Sequence, residues 1–444
     1  MRKLGLFLLF AGFLGRLGWA QEALGLADAI AVALEQNYQI RIADKNIEIA
    51  DRNNDWAVAG RFPSLDALLG FNNGYTNINN PASFLPELTS VSTAAIPGVE
   101  ASMILFDGFR VQLSKQQLEQ AARLSRGNAN LAVEQVIQGV IAAYYAVLIQ
   151  QDQMRVLEEV LTLSKDRIAY QETRQEFGQA GSFELLQSRD AYLSDSTNWL
   201  LQRNNLDAAL RNLNLSMGLR DTEKAYVLTD RLDFSPADYM LEDLEARMLA
   251  ANLTLQNLAI SQELAGINTR LQESSKSATI SARAGLTYNW SLSAGTGTLR
   301  TGETLSLDAL TANTLNGFIN VGASINLFDG GVRNRRIENA RVEEQIAQFN
   351  LEDTRLRLHT RLRNTHAAYN NQKALLELSN RLLENARENL RIAEERLKGG
   401  QINSFDYRTI QLGYISAAQS RLNALYNLKN TETELLGLVG ALVR

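Results

Sequence analysis

The 444-residue chain has no cysteine, only two histidines and only five prolines. Without cysteine there can be no thiolate zinc site, iron-sulfur cluster, disulfide framework, Cys nucleophile or lipidation at a mature N-terminal cysteine. The same absence suits a protein matured in an oxidising compartment, where a free thiol is a liability. Basic charge is scarce too: 44 Lys plus Arg against 49 Asp plus Glu give a net charge of −5. No surplus remains to neutralise phosphates, so nucleic acid is not an expected partner. The two histidines, His359 and His366, are seven residues apart. That is about 10 Å along a helix, too far to chelate one metal together. There is no P-loop, dinucleotide fingerprint or nucleophile elbow, and neither an enzyme activity, a cofactor nor a resident metal is expected. Long apolar runs are missing as well. Beyond the N-terminus no segment reaches the ~18 uninterrupted apolar residues of a spanning helix, so entry into a membrane would have to be as a β-barrel.

What is present begins with a leader. Arg2 and Lys3 precede an apolar stretch from Leu4 to Leu14, and Gly18-Trp19-Ala20 offers small residues at −3 and −1 before Gln21. This reads as a signal peptide, residues 1–20. Its removal deletes Arg2, Lys3 and Arg16 and no acid, which makes the mature chain more acidic still.

The prolines, Pro63, Pro81, Pro86, Pro97 and Pro236, leave residues 98–235 and 237–444 free of the strongest helix breaker. Two such tracts follow from a tandem duplication. Leu105-Phe106-Asp107-Gly108 recurs as Leu327-Phe328-Asp329-Gly330, 222 residues on, and the same shift pairs Ser182-Phe183 with Ser404-Phe405, Tyr192 with Tyr414 and Gly218 with Gly440. Upstream the shift is 215, pairing Asn37 with Asn252. The expected layout is a first repeat over 21–220, a linker over 221–238 and a second repeat over 239–444.

Each repeat carries a heptad: Leu362, Tyr369, Leu376, Leu383, Leu390 and Leu397 in the second, Val140, Val147, Met154, Leu161 and Ile168 in the first. Sustained over this length, the period predicts supercoiled helices. A helix from Gly330 to Lys398 would be ~100 Å long at 1.5 Å per residue. Gly178-Gln179-Ala180-Gly181 and Gly399-Gly400 then turn each rod back into a second helix, with Ser182 and Ser404 as expected N-caps. Shorter helices, about 24–54 and 239–273, open the repeats. Between short and long helices the period drops to two. Ile280, Ala282, Ala284, Leu286, Tyr288, Trp290 and Leu292 alternate with Ser281, Arg283, Gly285, Thr287, Asn289 and Ser291, and 315–327 behaves likewise. Weaker equivalents are 65–76 and 99–106, with 77–97 and 293–314 expected as exposed loops. A soluble sandwich would also alternate, but strands of ~12 residues with Tyr75, Tyr288 and Trp290 near their ends suit a lipid-facing barrel wall. Four strands cannot close a barrel, and open edges are not tolerated in lipid. Three copies would give twelve strands.

The signal peptide, the duplicated order of helix, two strands and long helical hairpin, the Leu-Phe-Asp-Gly junctions and the Gly-then-Ser turns together resemble the TolC outer-membrane efflux protein family, over essentially the whole mature chain. The resemblance implies an α+β membrane protein: a homotrimer with a 12-stranded β-barrel in outer-membrane lipid, continued by an α-helical coiled-coil barrel across the periplasm. It also implies a periplasmic adaptor (membrane fusion) protein and an inner-membrane pump or secretion ATPase as partners, the chain being the passive exit duct of an efflux or type I secretion system. The other class the pattern allows is a coiled-coil stalk or adhesin merely anchored by its strands. Small polar residues on the second strand face, such as Ser281, Asn289, Asn320 and Ser324, favour the duct, because an anchor needs no hydrated interior.

Candidate functional residues fall at three places. Asp107-Gly108 and Asp329-Gly330 mark the strand-to-helix junctions, where a carboxylate can cap the helix and glycine permits the sharp turn. Glu184 and Asp406 open the returning helices, where an acid ordinarily just complements the helix dipole. The resemblance implies more: Asp406 matches an acidic position of the pore constriction, with Glu184 as its first-repeat counterpart. Three-fold symmetry would turn one carboxylate into a cation-favouring ring. The second constriction position is Thr409, with Gln187 as its counterpart, and Ile402 replaces an arginine that clamps the closed state in some members. A weaker gate lock than in those members is expected, with measurable leak through the isolated channel. The turns Phe177-Gly178-Gln179 and Gly399-Gly400-Gln401 resemble adaptor-docking tips.

Overall fold

The computed structural model describes residues 22–232 and 235–442; the expected signal peptide lies outside them. Among the described residues the order is β1 (Glu22–Leu24), α1 (Leu26–Gln36), α2 (Tyr38–Asn53), β2 (Ser64–Asn79), β3 (Glu87–Phe106), α3 (Arg110–Glu176), α4 (Ser182–Met217), β4 (Tyr226–Leu228), α5 (Leu241–Ala251), α6 (Leu253–Ser274), β5 (Thr279–Thr298), β6 (Thr304–Ser324), α7 (Val332–Lys398) and α8 (Ser404–Leu438). The series from α1 to α4 matches that from α5 to α8, and both long helices, α3 and α7, have 67 residues.

Two compact units cut across the sequence repeats. One holds residues up to 43, 129–253 and 356 onward; the other holds 44–128 and 254–355. The second unit contains a four-stranded antiparallel sheet of order β2-β3-β5-β6, so the hairpins of the two halves pair through β3 and β5. Its strands, 16 to 21 residues long, are longer than the alternation suggested. The expected loops 77–97 and 293–314 shrink to residues 80–86 and 299–303. Their Ser, Thr, Gly and Pro content looks loop-like, yet Pro97 fits because the β3–β5 ladder skips Ile96 and Pro97, between Ala95↔Trp290 and Gly98↔Thr287. A residue lacking an N–H costs nothing where no ladder bond is made.

The first unit is a helical core. Val136, Ile137, Val140, Ile141, Tyr144, Val147 and Leu148 of α3 are buried with Leu213 and Met217 of α4 and Leu422, Leu425 and Leu428 of α8. The most apolar stretch of α3, long and apolar enough by composition to cross a membrane, is more than half buried in this way. Of the heptad residues in α7, Leu362, Tyr369, Leu376, Leu390 and Leu397 are buried and Leu383 is half-buried. The first repeat departs from expectation. Met154, Leu161 and Ile168 are only half-buried, and the seam moves to Leu157, Val160, Ser164, Arg167 and Gln171. That face of α3 meets α4 and α8 at once, through Ser164 to Asp195 and Gln171 to Ser404, so partners from two helices set its register.

The opening helices differ too: each is two helices, broken at Asn37 and Asn252, which are extended at φ −65°, ψ 128° and φ −66°, ψ 119°. Asn37 Nδ2 donates to the Ser216 carbonyl and its Oδ1 accepts from Gln39 N–H, while Asn252 Nδ2 donates to the Leu438 carbonyl. A side chain that satisfies backbone groups in both directions offers the chain an alternative to helix. Residues 226–228, within the expected linker, form β4, which pairs in parallel with β1.

Candidate functional site

The sheet has two unlike faces. Across the four strands Leu65, Ala101, Ala284 and Ile319 form one row, and Ala67, Val99, Leu286 and Gly317 the next. Further along stand Phe71, Ala95 and Trp290. Leu65, Phe71, Tyr75, Leu286 and Ile319 are 60–83% exposed, an apolar face with nothing among the described residues covering these side chains. On β6 it runs from Leu315 to Val321 and on through Ile325. Ten residues of a strand tilted by ~45° rise roughly 25 Å, the height of an outer-membrane barrel's apolar band. The opposite face carries the rows Ser64, Ser102, Arg283, Asn320 and Asp66, Glu100, Gly285, Phe318. Ser64 and Ser102 share a 2.9 Å hydrogen bond, and Arg283 Nε lies 4.0 Å from Glu100 Oε1. β2 and β6 have no partner on their outer edges among the described residues.

At the junctions below the sheet, Gly108 and Gly330 both have φ +70°. Asp329 accepts from the amides of Gly331 (3.1 Å) and Arg333 (2.9 Å); Asp107 accepts one long bond, 3.4 Å, from Val111. The helices start at Arg110 and Val332, so both carboxylates reach the first turn from three residues upstream.

The two turns in the first unit share one construction. The amides of Gln179 and Gln401 donate to the carbonyls five residues back, Arg174 and Arg396, both at 2.8 Å, with Gly178 at φ +66° and Gly400 at φ +68°. Each closes its helix with the glycine-based αL stop. The N-caps that follow are not Ser182 and Ser404 but the residues before them. Asn403 Oδ1 accepts from Phe405 and Asp406 amides at 2.9 Å, and Glu184 turns back to accept from Gly181 N–H at 3.0 Å. Ser404 is drawn inward instead, buried and accepting from Gln171 Nε2 at 2.8 Å.

The sequence-derived site residues therefore behave differently. Glu184 is half-buried and committed to its own helix, and Gln187 beside it is half-buried. Asp406 is exposed and its carboxylate has no partner among the described residues, while Thr409 is exposed and donates back to the Phe405 carbonyl. Phe177, Phe183 and Phe405 are 64–74% exposed around the turns.

Behind Asp406 lies a buried polar layer that sequence reasoning missed. Arg408 holds Asp195 with two hydrogen bonds, Ser164 Oγ donates to Asp195 at 2.6 Å, and Gln411 joins both Ser164 and Arg408. Arg167 is buried in the same layer with none of its guanidinium nitrogens hydrogen-bonded. Burial, and next the Arg408 charge, press its pKa below the usual arginine value. The available signal was a break in the repeat: Ala417 and Leu186 stand where Asp195 and Arg408 do, 222 residues away. His359 and His366 sit apart, 3.2 Å from Glu245 Oε1 and 2.9 Å from the Tyr239 carbonyl.

A sheet apolar on one face and polar on the other, with a long helical hairpin following each strand pair in the chain, defines a strand-anchored membrane protein. Residues 29–219 and 245–441 match the outer membrane efflux protein family, and the chain belongs to that family. It is an outer-membrane protein that extends into the periplasm, a channel rather than an enzyme. The fold is similar to that of the CmeC outer membrane channel of Campylobacter jejuni, at 17% identity, 99% of this chain, 94% of that one and a TM-score of 0.76. It is also similar to VceC of Vibrio cholerae (13%; 94% and 96%; 0.72) and to MtrE of Neisseria gonorrhoeae in its open state (18%; 94% and 89%; 0.68). No protein of curated function matches the sequence.

Proposed function

We propose that three copies of this duplicated chain close a twelve-stranded barrel and form the passive exit duct of a tripartite efflux or type I secretion system. A periplasmic adaptor meets the turns at Gln179 and Gln401, and an inner-membrane pump or secretion ATPase supplies the energy. The observation that carries this reading is the sheet itself: unpaired edges of 16 and 21 residues beside an apolar face. Lipid offers no hydrogen bonds to such edges, so each must pair with another copy. The polar face then lines a lumen. Asp406, whose carboxylate has no partner among the described residues and which lies in the first turn of α8, becomes by symmetry a ring of three carboxylates at the constriction, with Thr409 in the second position. Glu184 is a weaker candidate, since its carboxylate is already used.

The test is single-channel recording of the mature protein in a planar bilayer, beside Asp406→Asn. Discrete cation-selective steps that lose selectivity in the variant are expected. Steps unchanged by the substitution would move the filter elsewhere, and a lasting absence of conductance would overturn the duct.

A further inference from the structure

The two strand-to-helix junctions carry the same Leu-Phe-Asp-Gly sequence but are filled differently. At the second, the Arg333 guanidinium reaches back, Nη1 donating to the carbonyls of Asn326 at 2.9 Å and Ser275 at 3.3 Å. At the first, the position equivalent to Arg333 is Val111. A groove of about 340 Å³ lies at this junction, lined by Trp56, Arg61, the strand end Met103–Phe106, Asp107, Val111 and Gln112.

The groove carries one cation and one anion, both with capacity to spare. Arg61 holds its guanidinium 4.7 Å over the Trp56 ring and has no ion pair or side-chain hydrogen bond among the described residues. Lys115, the other cation near that ring, is already bound to Asn54 and Glu119. Asp107 accepts only the long bond from Val111 N–H. Gln112 adds a neutral polar group, and the apolar part of the wall is continuous with the exposed face of the sheet, through Met103 and its neighbour Ala282. An aromatic ring beside an arginine, at the edge of an apolar band, is the composition of a headgroup-level contact.

We propose that this groove binds one aminophospholipid of the periplasm-facing leaflet. Its phosphate lies against Arg61, its ammonium beside Asp107, and an acyl chain follows Met103–Leu105 out onto the sheet. The inference rests on the reading of the apolar sheet face as lipid-facing. Charge selects the ligand: an anionic lipid satisfies Arg61 but leaves Asp107 facing a negative headgroup, whereas a zwitterion with adjacent phosphate and ammonium satisfies both.

The test is native mass spectrometry of the delipidated full-length mature protein, titrated with phosphatidylethanolamine, with phosphatidylglycerol of the same acyl chains, and with phosphoethanolamine alone. One phosphatidylethanolamine per chain is expected to be retained, with phosphatidylglycerol and the free headgroup each weaker by about tenfold or more. Arg61→Gln, at an exposed position, and Val111→Arg, which copies the filled junction, should each weaken retention by about tenfold. Equal retention of the two lipids, a headgroup that binds as well as the lipid, or retention unchanged in both variants would overturn the site. Conductance of the same samples separates the two readings. A conducting channel that retains no lipid removes the site alone, whereas a non-conducting protein that retains it removes the duct and keeps the site.

Discussion

Arg408 and Asp195 meet from opposite halves of the chain, Nη1 and Nη2 donating to the two carboxylate oxygens at 2.8 and 2.7 Å, with Asp195 only 2% exposed. Removing one partner of a buried pair leaves an uncompensated charge, typically costing about 3–5 kcal/mol. The two truncations should not cost the same here, because Arg167 is a second buried cation in the layer, acted on by the Asp195 charge. Arg408→Ala leaves Asp195 a substitute; Asp195→Ala leaves two arginines and no acid. The aspartate variant is therefore expected to lose more, toward the upper end of that range, and Arg167→Met to be neutral or stabilising by about 1–3 kcal/mol. Denaturant midpoints of the detergent-solubilised protein measure all three. A larger loss for Arg408→Ala would show that Arg167 does not reach the carboxylate.

Gly218 and Gly440 close α4 and α8 against the breaks in the opening helices. A β-carbon on Gly218 would stand 2.6 Å from Asn37 Cα, and one on Gly440 2.5 Å from the Ala251 carbonyl oxygen, with φ at +80° and +65°. Alanine at either position meets backbone rather than a yielding side chain. A left-handed conformation costs about 1–2 kcal/mol and a forced shift of packed backbone about 1–3 more. Each substitution should cost about 2–5 kcal/mol, read as a lowered thermal midpoint. Near-neutral behaviour at either glycine would mean that the helix end relaxes away from the opening helices.

Much of this architecture was legible because period carries direct physical meaning. The alternation in Ile280–Leu292 put apolar residues on one sheet face, and the heptad through Leu362, Tyr369 and Leu376 put them in one seam. The breaks at Asn37 and Asn252 were not legible, because asparagine is tolerated within a helix. What decides the matter is a carbonyl about 180 residues away, that of Ser216 or Leu438. Pro97 misled for the converse reason: a local breaker is harmless where the neighbouring ladder skips it. Of the candidate site, the turn glycines and an acid in the first turn of α8 could be read from the chain, whereas the Asp195–Arg408 layer left only a departure from the repeat, since no short spacing links α4 to α8.

Glu134 makes stability depend on pH. It is buried on α3, its Oε1 has no hydrogen-bond partner, and burial raises its pKa above the usual carboxylate value. Gln138, one turn on along α3, sits with it beside Gly437 of α8. An acid whose pKa is raised by folding binds more protons in the folded state, so stability falls as pH rises from the unfolded value, about 4.3, through the folded one. Glu134→Gln should abolish that slope and leave the variant the more stable protein at pH 7 to 8. Parallel pH profiles for the two proteins would show that Glu134 is solvated.

The free edges of the sheet can be tested covalently, and the absence of native cysteine makes the result clean. Neighbouring strands within the sheet alternate in direction along β2, β3, β5 and β6, so β6 of one copy would run antiparallel to β2 of the next. A chain with one cysteine on β2, at Leu65, and one scanned along β6 at Leu315, Gly317, Ile319 and Val321 presents both edges on the apolar face. Only opposed positions bring β-carbons to about 4.5–5.5 Å, and the closer, non-hydrogen-bonded pairs among them approach the about 3.5–4.5 Å that a disulfide spans. At the matching register, oxidation in the membrane should yield two-chain and three-chain species and nothing larger, because the third bond closes the ring. Each single-cysteine control should stay monomeric on denaturing gels. A ladder that continues past three chains would mean open edge-to-edge association, and a product that stops at two would mean a different closure; either result would rule out the twelve-stranded barrel.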